Sequence, residues 1–254
     1  MFKKNNKPMI GATVFYYDTD YKRETAEKVL AILKKHNMFP SELIYAGKLT
    51  NNKYEKINGQ AEELFSFAYS AKDVLEIDVA NDKYGTDYWR VLWGLTYLKN
   101  SRIVGAKAFF PWNTLTIHSA YDRLKDKEKY ESFINCVKDL IKALNPFYAS
   151  IDDVGNKNIL LNNAREQYFV PERIQTIYWG NYFGEAHCEK YGFEKIMRLP
   201  DVAVEQVGNG IYFSLTESAP AVTISKDYLP NYRRFTHGKR RTDGRRGRDH
   251  LSDR

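Results

Sequence analysis

The feature that most constrains the fold is the dipeptide Asn209-Gly210, which lies between two short runs rich in β-forming residues. Asn-Gly favours the turn of a β-hairpin, because both residues tolerate positive φ. We therefore predict a strand over 201–207, a turn at Asn209-Gly210 and a returning strand over 211–216. A hairpin of this kind requires antiparallel sheet.

The residues before this hairpin predict a strand followed by a short helix. The run 176–183 is rich in aromatic and β-branched residues, which are typical of strands. A helix is predicted over 185–191, and Gly192 is predicted to be its C-terminal cap.

Apolar periodicity predicts the other elements. Helices are expected over 22–36, 58–71 and 130–144, and strands over 9–17, 43–49, 74–80, 88–98, 105–110, 115–119 and 147–151, with a polar loop at 50–54. The first helix has its apolar stripe at Ala26, Val29, Leu30 and Leu33, and the last at Phe133, Val137, Leu140, Ile141 and Leu144. Strands and helices are mixed rather than alternating, so we predict an α+β fold, with antiparallel β-sheet packed against three or four amphipathic helices.

The net charge of +7 is distributed unevenly along the chain. Residues 231–254 contain nine Lys or Arg and three Asp, a net +6, which leaves +1 for residues 1–230. We predict a single domain over 1–230 and a disordered, arginine-rich tail over 231–254, because that segment has few apolar residues to bury. Nucleic acid is expected to bind only non-specifically, through this tail.

The sequence predicts a cytoplasmic protein. Two cysteines, Cys136 and Cys188, are too few for a disulfide framework in a chain of this length. No apolar run is long enough for a transmembrane helix, and the N-terminal run reads as a strand and not as a signal peptide. No partner in the membrane is expected.

No motif for a metal, a cofactor or a nucleophile is present. The five histidines are scattered without ligand spacing, and we expect no cofactor. His187 and Cys188 are adjacent, but neighbours on a helix do not face each other, so packing is the favoured interpretation.

Two alternative functions follow from individual residues. Glu76 and Asp78 would share one face of a strand and, with His118, could serve a metal-dependent hydrolase or nuclease. The solvent-facing side of that strand must be polar in any case, which favours a structural interpretation.

The second alternative is a nucleic-acid-binding accessory protein. Trp89, Arg90, Trp93 and Tyr97 could form a stacking platform, with help from the basic tail. The nearly neutral body argues against it, and alternation of Trp with Val on one strand face is more typical of a core.

Four sequence blocks resemble bacterial immunity proteins of polymorphic toxin systems, specifically the group called immunity protein fifty-two. The blocks are Tyr178-Trp179-Gly180-Asn181-Tyr182-Phe183-Gly184, Leu199-Pro200, the run from Val204 to Ile211 with its Gly208-Asn209-Gly210, and Leu215-Thr216. The resemblance extends over most of residues 9–217, but its specific part is about forty residues of turns, glycines and aromatics. The basic tail and residues 152–171 lie outside it.

The resemblance implies a protein that is not an enzyme and that binds and neutralises one cognate toxin by occlusion. For a partner surface we predict aromatic anchors and acidic contacts, the latter suited to a basic toxin. The predicted anchors are Tyr178, Trp179, Tyr182 and Phe183, and the predicted acidic contacts are Asp152, Asp153, Glu185 and Glu189. An equally open alternative places Trp179 and Phe183 in the core.

Overall fold

The computed structural model of the chain describes residues 8–17, 23–39, 45–50, 53–56, 74–80, 89–94, 113–153 and 177–216. Within these ranges the chain forms ten strands and four α-helices. The strands are β1 Met9–Tyr16, β2 Tyr45–Thr50, β3 Lys53–Lys56, β4 Val74–Ala80, β5 Trp89–Gly94, β6 Asn113–Ala120, β7 Tyr148–Asp153, β8 Gly180–Phe183, β9 Ala203–Val207 and β10 Gly210–Ser214. The helices are α1 Arg23–Lys35, α2 Lys127–Leu144, α3 Glu185–Tyr191 and α4 Phe193–Met197, and a 3₁₀ turn, Arg123–Lys125, precedes α2.

All ten strands belong to one antiparallel sheet, in the order β3-β2-β4-β5-β6-β1-β7-β8-β10-β9. The first strand of the chain is therefore central, with β6 on one side and β7 on the other. The predicted α+β class with antiparallel sheet is confirmed. The strands predicted over 74–80, 88–98 and 115–119 correspond to β4, β5 and β6, which are neighbours in the sheet.

The two faces of the sheet carry different helices. Val14, Tyr182 and Tyr212 lie in one row across the first face, where Lys138 of α2 stacks over the Tyr212 ring. The second face carries Phe183 and Phe213, whose rings meet edge to face at 5.1 Å between centroids, and α3 packs there. The sheet is thus a central layer with helices on both sides.

The amphipathic helices α1 and α2 match their predicted apolar stripes, which are buried in the core. α2 begins at Lys127, three residues earlier than predicted, because the Asp126 side chain caps it by accepting the Lys129 N–H at 3.1 Å. It ends where Asn145 adopts the left-handed conformation, before Pro146, as predicted. None of the helices in the described ranges is long and apolar enough to cross a membrane.

The predicted strand over 176–183 is too long. β8 begins only at Gly180, and the reason is the side chain of Asn181. Its Oδ1 accepts the Tyr178 N–H at 2.9 Å, and its Nδ2 donates to the Tyr178 carbonyl at 2.7 Å. Both backbone groups of Tyr178 are therefore bonded to this side chain instead of joining a strand ladder.

The hairpin β9–β10 is confirmed, but its turn is one residue earlier than predicted. Val207 pairs with Gly210, so the two turn residues are Gly208 and Asn209. Gly208 has φ +58° and is the residue that needs left-handed backbone.

One further prediction needs correction, one helix was missed, and several predictions lie outside the described ranges. Residues 53–56 form strand β3 rather than part of a polar loop, and the helix α4 was not predicted. The helix over 58–71, the strand over 105–110, the domain boundary at 230 and the tail 231–254 lie outside the described residues.

Candidate functional site

The four predicted aromatic anchors are core residues. Tyr178, Trp179, Tyr182 and Phe183 are 4%, 1%, 1% and 0% exposed. Trp179 donates its indole N–H to Thr216 Oγ1 at 2.7 Å and meets the Tyr130 ring edge to face. The prediction that they are surface anchors is therefore wrong, because side chains this deeply packed cannot reach a partner. The alternative placement of Trp179 and Phe183 in the core is confirmed.

His187 and Cys188 also belong to the packing of α3. His187 is buried, its Nδ1 is 2.9 Å from the Phe147 carbonyl oxygen, and its ring lies against Phe183. Cys188 donates its thiol to the Phe183 carbonyl at 3.2 Å, and burial raises the pKa of this thiol. A raised pKa reduces the thiolate fraction, which agrees with the favoured packing interpretation.

The predicted acidic contacts separate into two pairs. Asp152 and Asp153 are half-buried on β7. Asp152 accepts the Asp153 N–H at 2.7 Å and the Trp179 N–H at 3.4 Å, and burial raises its pKa to about 6. Asp152 therefore holds the backbone of Trp179, the residue just before β8. Glu185 and Glu189 are exposed on α3.

Partly buried apolar residues are concentrated between α3 and β9. Ten apolar residues in the described ranges are only partly buried against the core, and six of them fall within fourteen consecutive positions. These six are Tyr191, Phe193, Met197, Leu199, Val202 and Val204. We call the exposed and half-buried residues from 185 to 206 the α3–β9 surface.

Exposed charged residues are interspersed with these apolar residues along the sequence. The α3–β9 surface contains five acidic and three basic residues, a net −2 in a chain of +7. The acidic residues are Glu185, Glu189, Glu194, Asp201 and Glu205, and the basic residues are Lys190, Lys195 and Arg198. An apolar centre with a charged rim is the usual anatomy of a protein interface.

Local backbone geometry forms the surface. Gly192 caps α3 with φ +89°, as predicted, and the chain turns at once into α4. Ile196 is buried and anchors α4, which leaves its neighbours half-buried or exposed. Asp201, with φ +59°, then turns the chain into the edge strand β9. The α3–β9 surface is therefore built from three short elements, α3, α4 and β9, that follow one another directly along the chain.

The hydrolase alternative draws on residues of two strands that are not neighbours in the sheet. Glu76 and Asp78 are on β4, opposite Gly94 and Leu92 of β5, and His118 is on β6, opposite Arg90 of β5. Two strand spacings separate these residues by about 10 Å. No group of three or more His, Cys, Asp or Glu in the described ranges could hold a metal ion.

The central second face is polar but mostly buried, and the sequence did not indicate this. Thr13 and Thr116 are hydrogen-bonded through their hydroxyls at 3.1 Å, while His118 and Ser150 are nearly inaccessible. His118 and Asp152 share a row, but Gly11 of β1 separates them. We find no catalytic pair in this row.

The structure describes the side chains of only some residues of the proposed stacking platform. Val91, which alternates with Trp89 and Trp93 in the sequence of β5, is completely buried, which favours the core interpretation. Tyr97 and the basic tail lie outside the described residues.

Comparisons with known protein families and with curated proteins give no match. Among solved structures, the fold is similar to that of the Pseudomonas aeruginosa T6SS protein PA0821, with a TM-score of 0.54 and 14% sequence identity. The similarity covers 82% of this chain and 65% of that chain, so this chain matches slightly less than two thirds of that protein. At this identity the similarity shows the fold alone.

Proposed function

We propose that this protein is a non-enzymatic immunity protein, which binds one cognate toxin in the bacterial cytoplasm and neutralises it by covering its active site. The sequence resemblance to immunity proteins supports this, and similarity to a T6SS protein is compatible with it. The observation that carries the proposal is the α3–β9 surface. Its half-buried apolar residues are interspersed with exposed charged residues whose net charge is −2.

The α3–β9 surface has the composition that specific binding requires. Burial of about 800 Å² per partner is typical of a stable complex, and a few central residues contribute most of its free energy. Tyr191, Phe193 and Met197 are the candidates for this centre, because each is held by the core and retains an accessible part. The net negative charge of this surface selects a toxin whose matching surface is basic and accelerates its association.

Inhibition by occlusion needs no catalytic group. The toxin is neutralised for as long as the complex lasts, so the protection depends on a slow dissociation rate. Glu185 and Glu189 are one helical turn apart on α3, and both project from the same side of it. They replace the buried aromatic residues as the predicted contacts of greatest importance.

The test begins with co-purification of the tagged full-length chain from its native cells. A stoichiometric partner must stop growth when it is expressed alone, and co-expression of this chain must restore growth. We expect the double variant Glu185→Lys/Glu189→Lys to lose this protection. Charge reversal on an interface repels a basic partner and costs roughly 1–3 kcal/mol of binding free energy.

The matched control is Glu24→Lys/Glu128→Lys, which reverses two exposed glutamates in the first turns of α1 and α2. This variant has the same net charge as the test variant and should protect fully. Equal protection by both variants would remove α3 from the interface. Metal-dependent turnover of nucleic acid that disappears in Asp78→Ala would instead replace the immunity proposal with the hydrolase alternative.

A further inference from the structure

Strand β9 is the outermost strand at one edge of the sheet. In the described part of the chain it pairs only with β10, and Ala203, Glu205 and Gln206 are exposed. An edge strand offers unpaired N–H and C=O groups, to which another strand can bind.

The hairpin register determines which backbone groups face outward. Val207 and Gly210 flank a two-residue turn, so they form a hydrogen-bonded pair. Hydrogen-bonded pairs then recur at every second residue, at Glu205 with Tyr212 and at Ala203 with Ser214. The N–H and C=O groups of Val204 and Gln206 therefore point away from the sheet, toward the open edge.

We propose that an extended segment of the partner toxin adds to β9 as an eleventh strand, bonded to the backbone of Val204 and Gln206. This inference rests on the proposed function and specifies how the toxin is bound. Main-chain bonds at an edge strand contribute affinity, and the flanking side chains contribute specificity.

The side chains on the two faces of β9 determine which kind of toxin segment can add to it. On the second face, half-buried Val204 can contact an apolar side chain of the added strand. On the first face, Glu205 is paired with Lys138 of α2. Lys138 neutralises Glu205 on that face, so the expected segment is extended and is selected mainly by its main-chain bonds and by an apolar residue beside Val204.

Charge favours a different protein over a second copy of this chain. Antiparallel pairing of β9 with itself over its full length would place Glu205 directly opposite the same residue of the copy. Like charges in that position are destabilising, and the Lys138 of each molecule offsets part of this repulsion. Shifted registers avoid this repulsion, but they pair fewer residues.

The experiment compares Gln206→Pro with Gln206→Ala, using the growth-arresting partner from the co-purification as the probe. Proline removes an N–H that points outward, which an edge strand tolerates. Alanine removes the side chain and keeps the N–H. Because both variants lose the Gln206 side chain and only proline loses the N–H, we expect Gln206→Pro to bind about tenfold or more weakly than Gln206→Ala. Equal affinities of the two variants would overturn the inference.

Hydrogen exchange on the wild-type chain gives a second measurement, which does not depend on the proline variant folding. The amides of Val204 and Gln206 should exchange rapidly in the free protein and become protected in the complex. Persistent rapid exchange in a complex that still restores growth would refute strand addition and leave the immunity proposal intact. A free protein that sediments as a dimer, and becomes monomeric on Gln206→Pro, would identify a second copy as the occupant instead.

Discussion

The hydroxyl oxygen of Tyr182 lies over Gly210, 2.6 Å from the position that a β-carbon on this glycine would occupy. The Phe183 carbonyl oxygen is closer still. Strand β10 can approach β8 in this way only because position 210 has no side chain. The two glycines of Gly208-Asn209-Gly210 thus have different roles, since Gly208 supplies the positive φ of the turn and Gly210 supplies space.

Gly210→Ala should destabilise the protein strongly. The added methyl group would collide with a backbone oxygen that cannot rotate away, so we expect the free energy of unfolding to fall by about 3 kcal/mol. Chemical denaturation measures the change. Gly208→Ala is the matched control, because its β-carbon would make only an ordinary van der Waals contact, 3.9 Å from Lys142 Cα, and it should cost only about 1 kcal/mol through its positive φ. A larger loss at position 208 would contradict this assignment of roles.

Tyr182→Phe should leave the stability unchanged or raise it by roughly 1 kcal/mol. The Tyr182 hydroxyl is buried and has no hydrogen-bond partner in the described part of the chain, so its removal relieves a desolvation cost. Thr216→Val is the contrasting variant, because it removes the acceptor of the Trp179 indole N–H and should destabilise. Both variants are compared by thermal unfolding. A large loss in Tyr182→Phe would mean that the hydroxyl is bonded.

Asp152 should make the protein less stable as the pH rises from about 4 to about 6. Burial raises the pKa of this carboxyl from 3.8 to about 6, so the folded state binds a proton more tightly than the unfolded state does. The protonated Asp152 carboxyl therefore contributes its full stabilisation below its pKa in the unfolded state. This contribution is lost as the pH rises through its pKa in the folded state.

Asp152→Asn removes this dependence. Relative to the wild type, the variant should gain roughly 2 kcal/mol of unfolding free energy between pH 4 and pH 7. The control is Glu189→Gln, which removes an exposed carboxylate. Parallel pH profiles for the wild type and Asp152→Asn would show that Asp152 is not the group responsible.

Asp139 should have the opposite pH dependence. Burial alone would raise its pKa, but hydrogen bonds from Lys35 at 2.8 Å and from His36 at 2.9 Å hold the pKa below its ordinary value. Its stabilisation is therefore present above about pH 4 and is lost as the pH falls through the lowered pKa.

Asp139→Ala should cost about 1–2 kcal/mol at pH 7, because it leaves the nearly buried His36 ring without this partner, and the cost should shrink in acid. Lys142→Ala is the control, since this exposed lysine contacts Asp139 only at 3.9 Å. Denaturation of the three proteins at pH 7 and pH 3 checks both statements. Equal losses in the two variants would contradict them.

The elements with local signals were predictable from the sequence. β1 and β4 alternate, α1 and α2 have apolar stripes, and the cap at Asn145 and the hairpin follow from turn residues. β3 was missed because Lys53–Lys56 has no apolar pattern, and α4 because five residues are too few to show a helical period. The central position of β1 depends on pairing between distant residues, which no local pattern encodes.

The candidate site was predictable only in its acidic part. Glu185 and Glu189 follow from their place on a predicted helix, but an aromatic residue in a strand fits the core and an interface equally well. Tyr178, Trp179, Tyr182 and Phe183 are buried because their segment is covered from both faces of the sheet. The cluster of apolar residues from Tyr191 to Val204 was the sequence signal for the apolar part of this site, although Leu199 and Val202 lie in the loop between α4 and β9.

The place of β1 in the sheet has a consequence for the time at which the newly made chain can fold. Thr13 and its hydroxyl partner Thr116 are 103 residues apart, and β7 follows later still. The nascent first strand must leave the ribosome without either neighbour and wait for both to be translated. At about 5–20 residues per second this delay is on the order of ten seconds. The two halves of the sheet therefore cannot join until β6 and β7 have both left the ribosome.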